Sequence, residues 1–276
     1  MPTQALYTRF QHSTGVSTDT RKLRQGELFF ALKGPNFDGN QYAKDALDSG
    51  AAFAVVDDKT VVLKDDPRYL LVYDSLKALQ GLANHHRRQL RTTVIGLTGS
   101  NGKTTTKELM RLVFECCKRV FVTPGNYNNH IGLPLSLLQL KPEHNLAILE
   151  MGDNQPGDIR ELCEIAEPDH ALITNIGFDH LGGYTDMEEN AAGKLELFDY
   201  VRKQGGTLFF NMDDEYVHKY MKKHAHKNVV SYSLKQHAGY RLTLLDNTLD
   251  GMHFEVETPD AQIERFNTTL YGAYNL

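Results

Sequence analysis

The sequence predicts an α/β fold in two parts: a small N-terminal α/β domain over residues 1–91, then a domain over 92–276 built on a mostly parallel sheet flanked by helices, with an antiparallel edge. Three observations predict it. Short apolar runs alternate with helical patterns along most of the chain, as in βα repeats. A glycine-bracketed loop stands between a strand pattern and a helix pattern at Thr92–Cys117. From Tyr240 onward the pattern changes to alternating strands broken by Asp-Asn and Asp-Gly turns.

In the N-terminal part, Leu28–Leu32, Phe53–Val56 and Tyr69–Tyr73 read as strands, and residues 40–49 and 75–90 as helices. Polar punctuation gathers at Ser17-Thr18-Asp19-Thr20-Arg21 and at Lys33-Gly34-Pro35-Asn36-Phe37-Asp38-Gly39. On composition alone both stretches are turns, because Gly, Pro, Asn and Asp form turns readily.

The stretch Thr92–Cys117 organises the second part. Val94, Ile95 and Leu97 make a short strand, and Leu109, Leu112, Val113 and Cys116 recur at helical spacing. Between them runs Thr98-Gly99-Ser100-Asn101-Gly102-Lys103-Thr104-Thr105. A loop entering a helix N-terminus points unpaired N–H groups and the positive dipole end at one spot, which suits a triphosphate. Gly99 and Gly102 let the backbone come close, Lys103 reaches outer phosphates, and the hydroxyl of Thr104 or Thr105 can bind Mg2+. The general P-loop pattern asks for glycine where Leu97 stands, so this is the shorter form Gly-x-x-Gly-Lys-Thr-Thr. The plain alternative, a Gly-Asn turn before a capped helix, has no need of a lysine and three threonines.

Val120–Val122 follows as a strand, and 123–134 as a long polar loop carrying Asn126, Asn128 and Asn129. Such amides can ligate, cap or read a base edge, and they also occur in loops because they tolerate unusual dihedrals. Leu146–Leu149 reads as a buried parallel strand that ends in Glu150. A carboxylate at that edge, beside a phosphate loop, is placed to hold Mg2+ directly or through water, unless it merely opens the next turn. A helix over 157–166 and a strand over 171–176 follow, the latter leading to Asp179 and His180, a candidate metal ligand. Residues 187–203 read as a helix carrying Lys194, 207–211 as a strand and 213–225 as a polar helix; Leu242–Leu245, Met252–Glu257 and Ile263–Leu270 are the edge strands. By periodicity alone Lys194 belongs to a solvated face.

Composition bounds the partners. With 276 residues, a formal charge of -5 and a pI near 6.2, the chain has no basic footprint, so nucleic acid is not an expected partner. Cys116, Cys117 and Cys163 lack C-x-x-C spacing and read as reduced thiols, all three expected as small buried hydrophobes. No apolar run reaches about 18 residues and no signal-peptide core is present, so the expectation is a cytoplasmic monomer without a membrane span.

These motifs resemble the Mur ligase family, in its MurF type. The resemblance rests on Thr98–Thr105, on Gly-Asn-Tyr-Asn-Asn-His-Ile-Gly-Leu-Pro at 125–134, on Leu149-Glu-Met-Gly-Asp-Asn154, on Thr174-Asn-Ile-Gly and on His180-Leu181. It implies that Thr98, Gly99, Ser100, Asn101, Gly102, Lys103, Thr104 and Thr105 hold ATP, with Asn129 and Asn275 near the nucleotide. It implies that Thr104, Glu150 and His180 bind Mg2+, and that Lys194 joins them as a carbamate. Lys103, Glu150, His180 and Lys194 are then the catalytic set, while Thr18, Asp19, Thr20, Arg21, Lys33, Asp38 and Gly39 match segments that bind a UDP substrate. The implied activity is an ATP-dependent ligase of peptidoglycan precursor synthesis, which converts the terminal carboxylate of a UDP-N-acetylmuramoyl tripeptide to an acyl phosphate and transfers it to D-alanyl-D-alanine. Two departures stand out: Asp179 and Gly182-Gly183-Tyr184 flank His180 in place of the family's residues, and no C-terminal amine-binding domain follows, so this chain is expected to be inactive alone. The alternatives are another Mur-type or folylpolyglutamate-type ligase, or a module that binds UDP substrate and ATP without turnover.

Overall fold

The structure, a computed structural model, describes residues 1–177, 183–270 and 272. The chain forms two compact units, Met1–Thr92 with Thr123–Asn145 and Glu164–Glu167, and Thr93–Val122 with Leu146–Cys163 and Pro168–Leu276. The division is therefore not a single cut near residue 92: the chain re-enters the first unit twice.

In chain order the first unit contains α1 (Thr3–Gln11), β1 (Val16–Ser17), β2 (Leu28–Phe30), β3 (Lys33–Gly34), β4 (Phe37–Asp38), α2 (Ala43–Asp48), β5 (Phe53–Val56), β6 (Tyr69–Leu71) and α3 (Ser75–Gln89). Its sheet runs β1-β2-β5-β6, all parallel, with Leu28 opposite Phe53 and Ala54 opposite Tyr69. Phe29, Ala31, Ala54 and Val56 pack with Ala43, Ala46 and Leu47 from α2, the small alanines letting helix and sheet approach closely. The N-cap of α3 is Asp74, whose carboxylate accepts the Lys77 N–H at 2.8 Å.

The second unit opens with β7 (Thr93–Thr98), α4 (Lys103–Phe114) and β8 (Val120–Val122). The chain then builds α5 (Gly132–Leu137) in the first unit and returns as β9 (Leu146–Glu150). It continues through α6 (Asp158–Ala166), β10 (His170–Ile173), α7 (Met187–Lys203), β11 (Thr207–Asn211), α8 (Glu215–Lys223), β12 (Val229–Ser233), β13 (Tyr240–Thr248), β14 (Gly251–Glu257) and β15 (Ile263–Thr268). The sheet order is β15-β14-β13-β12-β11-β10-β7-β9-β8, parallel from β8 to β13 and antiparallel at β13-β14-β15. From β7 the chain moves to β8 and β9 on one side, then to β10 on the other. That reversal makes the C-terminal end of β7 a topological switch point, where open α/β sheets leave a crevice for a ligand. Register fixes what flanks it, since Leu97 lies opposite Glu150 of β9 and Thr98 opposite Ile173 of β10.

Helix α4 corrects one reading of its sequence. Its sheet-facing positions are Lys107, Met110 and Phe114, and Met110 and Phe114 pack against Ile95, Leu146 and Ile148. Leu109, Leu112 and Val113, which carry the helical apolar spacing, lie exposed. The cause is a lysine on the inner stripe, which shifts the apparent hydrophobic face. Cys116 and Cys117 follow the helix and are exposed, so the expectation of three buried thiols holds for Cys163 alone. Among the described residues no helix is long and apolar enough to cross a membrane.

Candidate active site

The loop between β7 and α4 is held from one side by the segment after β10. The Ser100 N–H donates to the Asn175 carbonyl at 2.9 Å, and Ser100 Oγ both donates to the Gly177 carbonyl and accepts its N–H, at 3.0 and 2.8 Å. Thr174 Oγ1 and Asn175 Nδ2 converge on the Asn101 carbonyl at 2.7 and 3.1 Å, while the Asn101 N–H donates to Asn175 Oδ1 at 3.1 Å. The Thr174-Asn-Ile-Gly motif is thus a wall that fixes the loop. Gly102, at φ +80°, is the N-cap of α4 and brings in no capping side chain, so the first helical N–H groups have no side-chain acceptor from that residue. Lys103 Nζ folds back to donate to the Gly99 carbonyl, and to that of Ser100 at 3.2 Å. A bound phosphate offers this ammonium a charged acceptor in place of two carbonyls.

Beside the loop, Thr104 and Thr105 are both exposed, and it is Thr104 whose Oγ1 donates to Glu150 Oε2, at 3.1 Å. The structure therefore separates the two threonines left open by the sequence. A carboxylate and a hydroxyl in contact are hard oxygen donors that fit Mg2+, which commonly takes one or two protein ligands and fills its octahedron with phosphate and water. Thr98, fully buried, donates its hydroxyl to the Met151 carbonyl at 2.8 Å and so joins β7 to the chain behind Glu150. Lys107, one helical turn beyond Lys103, is also buried; its Nζ lies 3.8 Å from Glu150 Oε2 and 3.6 Å from Glu108 Oε1. A carboxylate as buried as Glu150 needs such a counter-charge. The sequence reading missed Lys107, although its position on the stripe of Met110 and Phe114 was the available signal.

Lys194 is not on a solvated face: it is fully buried. Its Nζ meets both oxygens of Asp153, at 3.0 and 3.2 Å, and Asp153 accepts the Tyr184 hydroxyl at 2.5 Å. Burial first, then the bond to Asp153, pushes the Tyr184 phenol far above its usual range, so it remains a donor. Asp153 and Tyr184 were also missed, though Asp153 stands within the Glu-Met-Gly-Asp-Asn run.

In the first unit, Thr18, Asp19, Thr20, Arg21 and Gly39 come together with Phe29, Phe37 and Tyr42 around a cavity of about 450 Å³. The Arg21 guanidinium and backbone N–H hold the Asp19 carboxyl at about 2, keeping it ionised. Lys33 and Asp38 are engaged otherwise. Lys33 pairs with Asp57 at 2.8 Å, and Asp38 caps the turn at Gly39–Tyr42 by accepting the Asn40 N–H at 2.9 Å. Asn129 accepts the N–H groups of Ile131 and Gly132, at 3.1 and 2.8 Å, at the start of α5. His180, Asp179 and Asn275 lie outside the described residues. Among the described residues no three His, Cys, Asp or Glu side chains converge on one point.

A parallel sheet with a glycine-lysine loop at its switch point and a carboxylate in the adjacent strand defines a P-loop-type nucleotide-binding protein. Residues 97–276 match the family model described as the Mur ligase middle domain, and residues 12–87 that described as the Mur ligase family catalytic domain. The chain belongs to the Mur ligase family. It is 38% identical to the UDP-N-acetylmuramoyl-tripeptide–D-alanyl-D-alanine ligase of Bacillus subtilis, over 88% of this chain and 52% of that protein. It superposes on MurF from Acinetobacter baumannii with a TM-score of 0.86 at 28% identity, covering 99% of this chain and 61% of that one. The MurF ligase from Thermotoga maritima in complex with ADP gives a TM-score of 0.84 at 29% identity, over 95% of this chain and 60% of that one. The chain spans about half the length of the curated relatives it matches.

Proposed function

We propose that this chain carries the nucleotide-binding and UDP-substrate-binding parts of a cytoplasmic ATP-dependent ligase that joins D-alanyl-D-alanine to a UDP-N-acetylmuramoyl tripeptide. The observation that carries the reading is the register that sets Glu150 and the Gly99–Thr105 loop side by side at the switch point. In that reaction the tripeptide carboxylate attacks the terminal phosphorus of ATP, ADP leaves, and the amine of D-alanyl-D-alanine displaces phosphate from the acyl phosphate. Loop N–H groups and Lys103 draw off charge from the transferring phosphoryl group, so the chemistry depends on alignment and neutralisation rather than on a protein nucleophile. Thr104 and Glu150 would hold Mg2+, which supplies further neutralisation of phosphate charge when bound. The cavity of the first unit, with its aromatic rings and Arg21, suits the uridine and diphosphate of the nucleotide sugar.

Calorimetry on the purified chain tests the nucleotide site. Wild type is expected to bind ADP with Mg2+, and Lys103→Ala to lose at least tenfold in affinity while keeping its melting temperature within about 2 °C, since a half-buried lysine at a helix start, outside the hydrophobic core, adds little stability. Unchanged affinity in the variant removes the loop from the mechanism. Phosphate release with all three substrates then separates a ligase from a binding module.

A further inference from the structure

The cavity of the first unit is walled by a piece of chain that does not hold itself. Strands β3 and β4 pair only through Lys33 opposite Asp38 and Gly34 opposite Phe37, and so short a ribbon is marginal in water. Yet this ribbon and the turn after it carry the wall. Phe37 and Tyr42 are 56% and 47% exposed, large aromatic side chains left open on a cavity that the buried Phe29 also lines. The Phe37 ring lies against Gly34, and a Cβ on Gly39 would stand 2.5 Å from the Leu32 carbonyl oxygen and 2.8 Å from the Leu32 nitrogen, so the turn sits directly on the chain that follows β2.

What fixes this wall is Asn40, a residue that is 1% exposed and does not line the cavity. Its Nδ2 donates to Asp38 Oδ1 at 2.7 Å and to Asp57 Oδ1 at 2.8 Å, and its Oδ1 accepts the N–H groups of Asp57 and Asp58 at 3.1 and 3.3 Å. Both donors and both lone pairs of the amide are therefore used. Carboxylates on one side and N–H groups on the other leave it a single orientation. Lys33 Nζ reaches the same Asp57 oxygen at 2.8 Å, so the two ends of the ribbon are pinned to one carboxylate just past β5. Asp57 also accepts the Ser75 N–H at 3.2 Å, at the start of α3. Burial would raise the Asp57 carboxyl, but the bonds from Lys33, Asn40 and Ser75 outweigh it and hold the group below its ordinary range, so the anchor stays ionised.

We propose that Asn40 is a positioning residue for the nucleotide-sugar substrate: through Asp38 and Asp57 it presets Phe37 and Tyr42 as the wall on which the flat uracil ring stacks, a role that rests on the UDP-substrate reading of this cavity. Asn40 makes no contact with the ligand in this account. Its effect is preorganisation, because a wall that must be ordered anew at each binding event spends the freedom of two aromatic side chains and their turn, which costs about tenfold in affinity.

Calorimetric titration of the 276-residue chain with UDP, and separately with ADP and Mg2+, tests this. Asn40→Ala is expected to bind ADP within about twofold of wild type and UDP about tenfold more weakly. Hydrogen exchange is expected to quicken in the peptide covering 33–42, while peptides of β2 and α3 keep their protection. Because Asn40 and Phe37 act through one wall, the double variant with Phe37→Ala is expected to bind UDP within about twofold of the weaker single variant. A merely structural Asn40 gives additive losses, or loosens β2 and α3 along with the turn. Either result overturns the proposal, and so does a UDP affinity in Asn40→Ala within about twofold of wild type. Should Asn40→Ala not fold, Asn40→Ser, which keeps one donor and an acceptor, is read by the same measurements with the same outcomes. A wild type that binds no UDP removes the substrate reading and this role together, whereas a wild type that binds UDP beside an unaffected variant removes this role alone.

Discussion

Replacing Gly99 by alanine tests the wall that holds the phosphate loop. Gly99 sits at φ +142°, and a Cβ there would lie 2.0 Å from Thr174 Oγ1, 3.0 Å from the Asn175 carbonyl oxygen and 3.1 Å from the Thr174 nitrogen. The dihedral alone costs a residue with a side chain about 1–3 kcal/mol. Clearing the 2.0 Å contact means moving the Thr174 hydroxyl off the Asn101 carbonyl, a loss of about 1 kcal/mol. The two backbone contacts cannot be relieved by a rotamer. The sum is about 2–4 kcal/mol, which for a cooperative unit of this size lowers the melting temperature by about 5–15 °C. Because loop and wall are the two parties to the clash, ADP affinity falls with stability. Thr174→Ala in the same background removes only the hydroxyl clash, so the double variant recovers part of the loss and the two changes are not additive. Scanning calorimetry and an ADP titration on the three variants decide it. A Gly99→Ala protein that melts within about 2 °C of wild type and binds ADP normally refutes the argument.

Two other predictions use buried charge. Burial depresses the His86 imidazole below its ordinary value, against a smaller opposite pull from the Leu140 carbonyl it donates to at 2.9 Å. A depressed folded value means that its contribution is full above about 6.5 and is lost as pH falls through the folded value, so the first unit should lose stability below neutral pH. His86→Gln should be about 1–2 kcal/mol less stable at pH 8 and show a shallower decline toward pH 5; parallel curves would show that another group titrates. Lys107→Met keeps the stem and removes the ammonium 3.8 Å from Glu150, and should cost about 2–4 kcal/mol, partly regained on adding Mg2+ with ADP. Denaturation midpoints with and without Mg2+ measure this, and an unchanged midpoint without metal would leave Lys107 no role in balancing Glu150.

The parts of the fold that could be read from the residues are those where one pattern dominates. Helix α7 and strand β11 appear over the same residues that their periodicity marks, and the loop of Gly99–Thr105 sits between strand and helix as its glycines and lysine imply. Helix α1 was not read because Thr3–Gln11 buries only Leu6 and Tyr7, too few to show a period, and β12 because Val229–Ser233 is a short half-buried strand beside a charged turn. The strand order has no local signature, so the pairing of Leu97 with Glu150 is visible only in three dimensions. At the site, Lys194 shows the limit most clearly. A lysine in a helix pattern looks solvated, and its counter-ion, Asp153, lies 41 residues earlier. Asn129 shows the same for amides: the residue type allows several roles, and only the structure shows its side chain accepting the N–H groups of Ile131 and Gly132.

The return of 123–145 to the first unit bears on how this protein can be dissected. Gln80 of α3 donates to the His130 carbonyl at 3.1 Å, and the Thr92 hydroxyl to that of His144 at 2.7 Å, so partners of the N-terminal residues come from a stretch encoded after the phosphate loop. A ribosome must therefore synthesise the whole first phosphate-loop crossover before the N-terminal unit can close, and a plasmid encoding residues 1–91 alone would leave Leu79 and Leu82 of α3 without Leu133 and Leu137 of α5, all four of which are buried in the intact chain. Neither unit is a cassette: each is sewn from three pieces of chain, and a single protease nick between 92 and 123 would leave the fragments interlocked rather than liberate a domain.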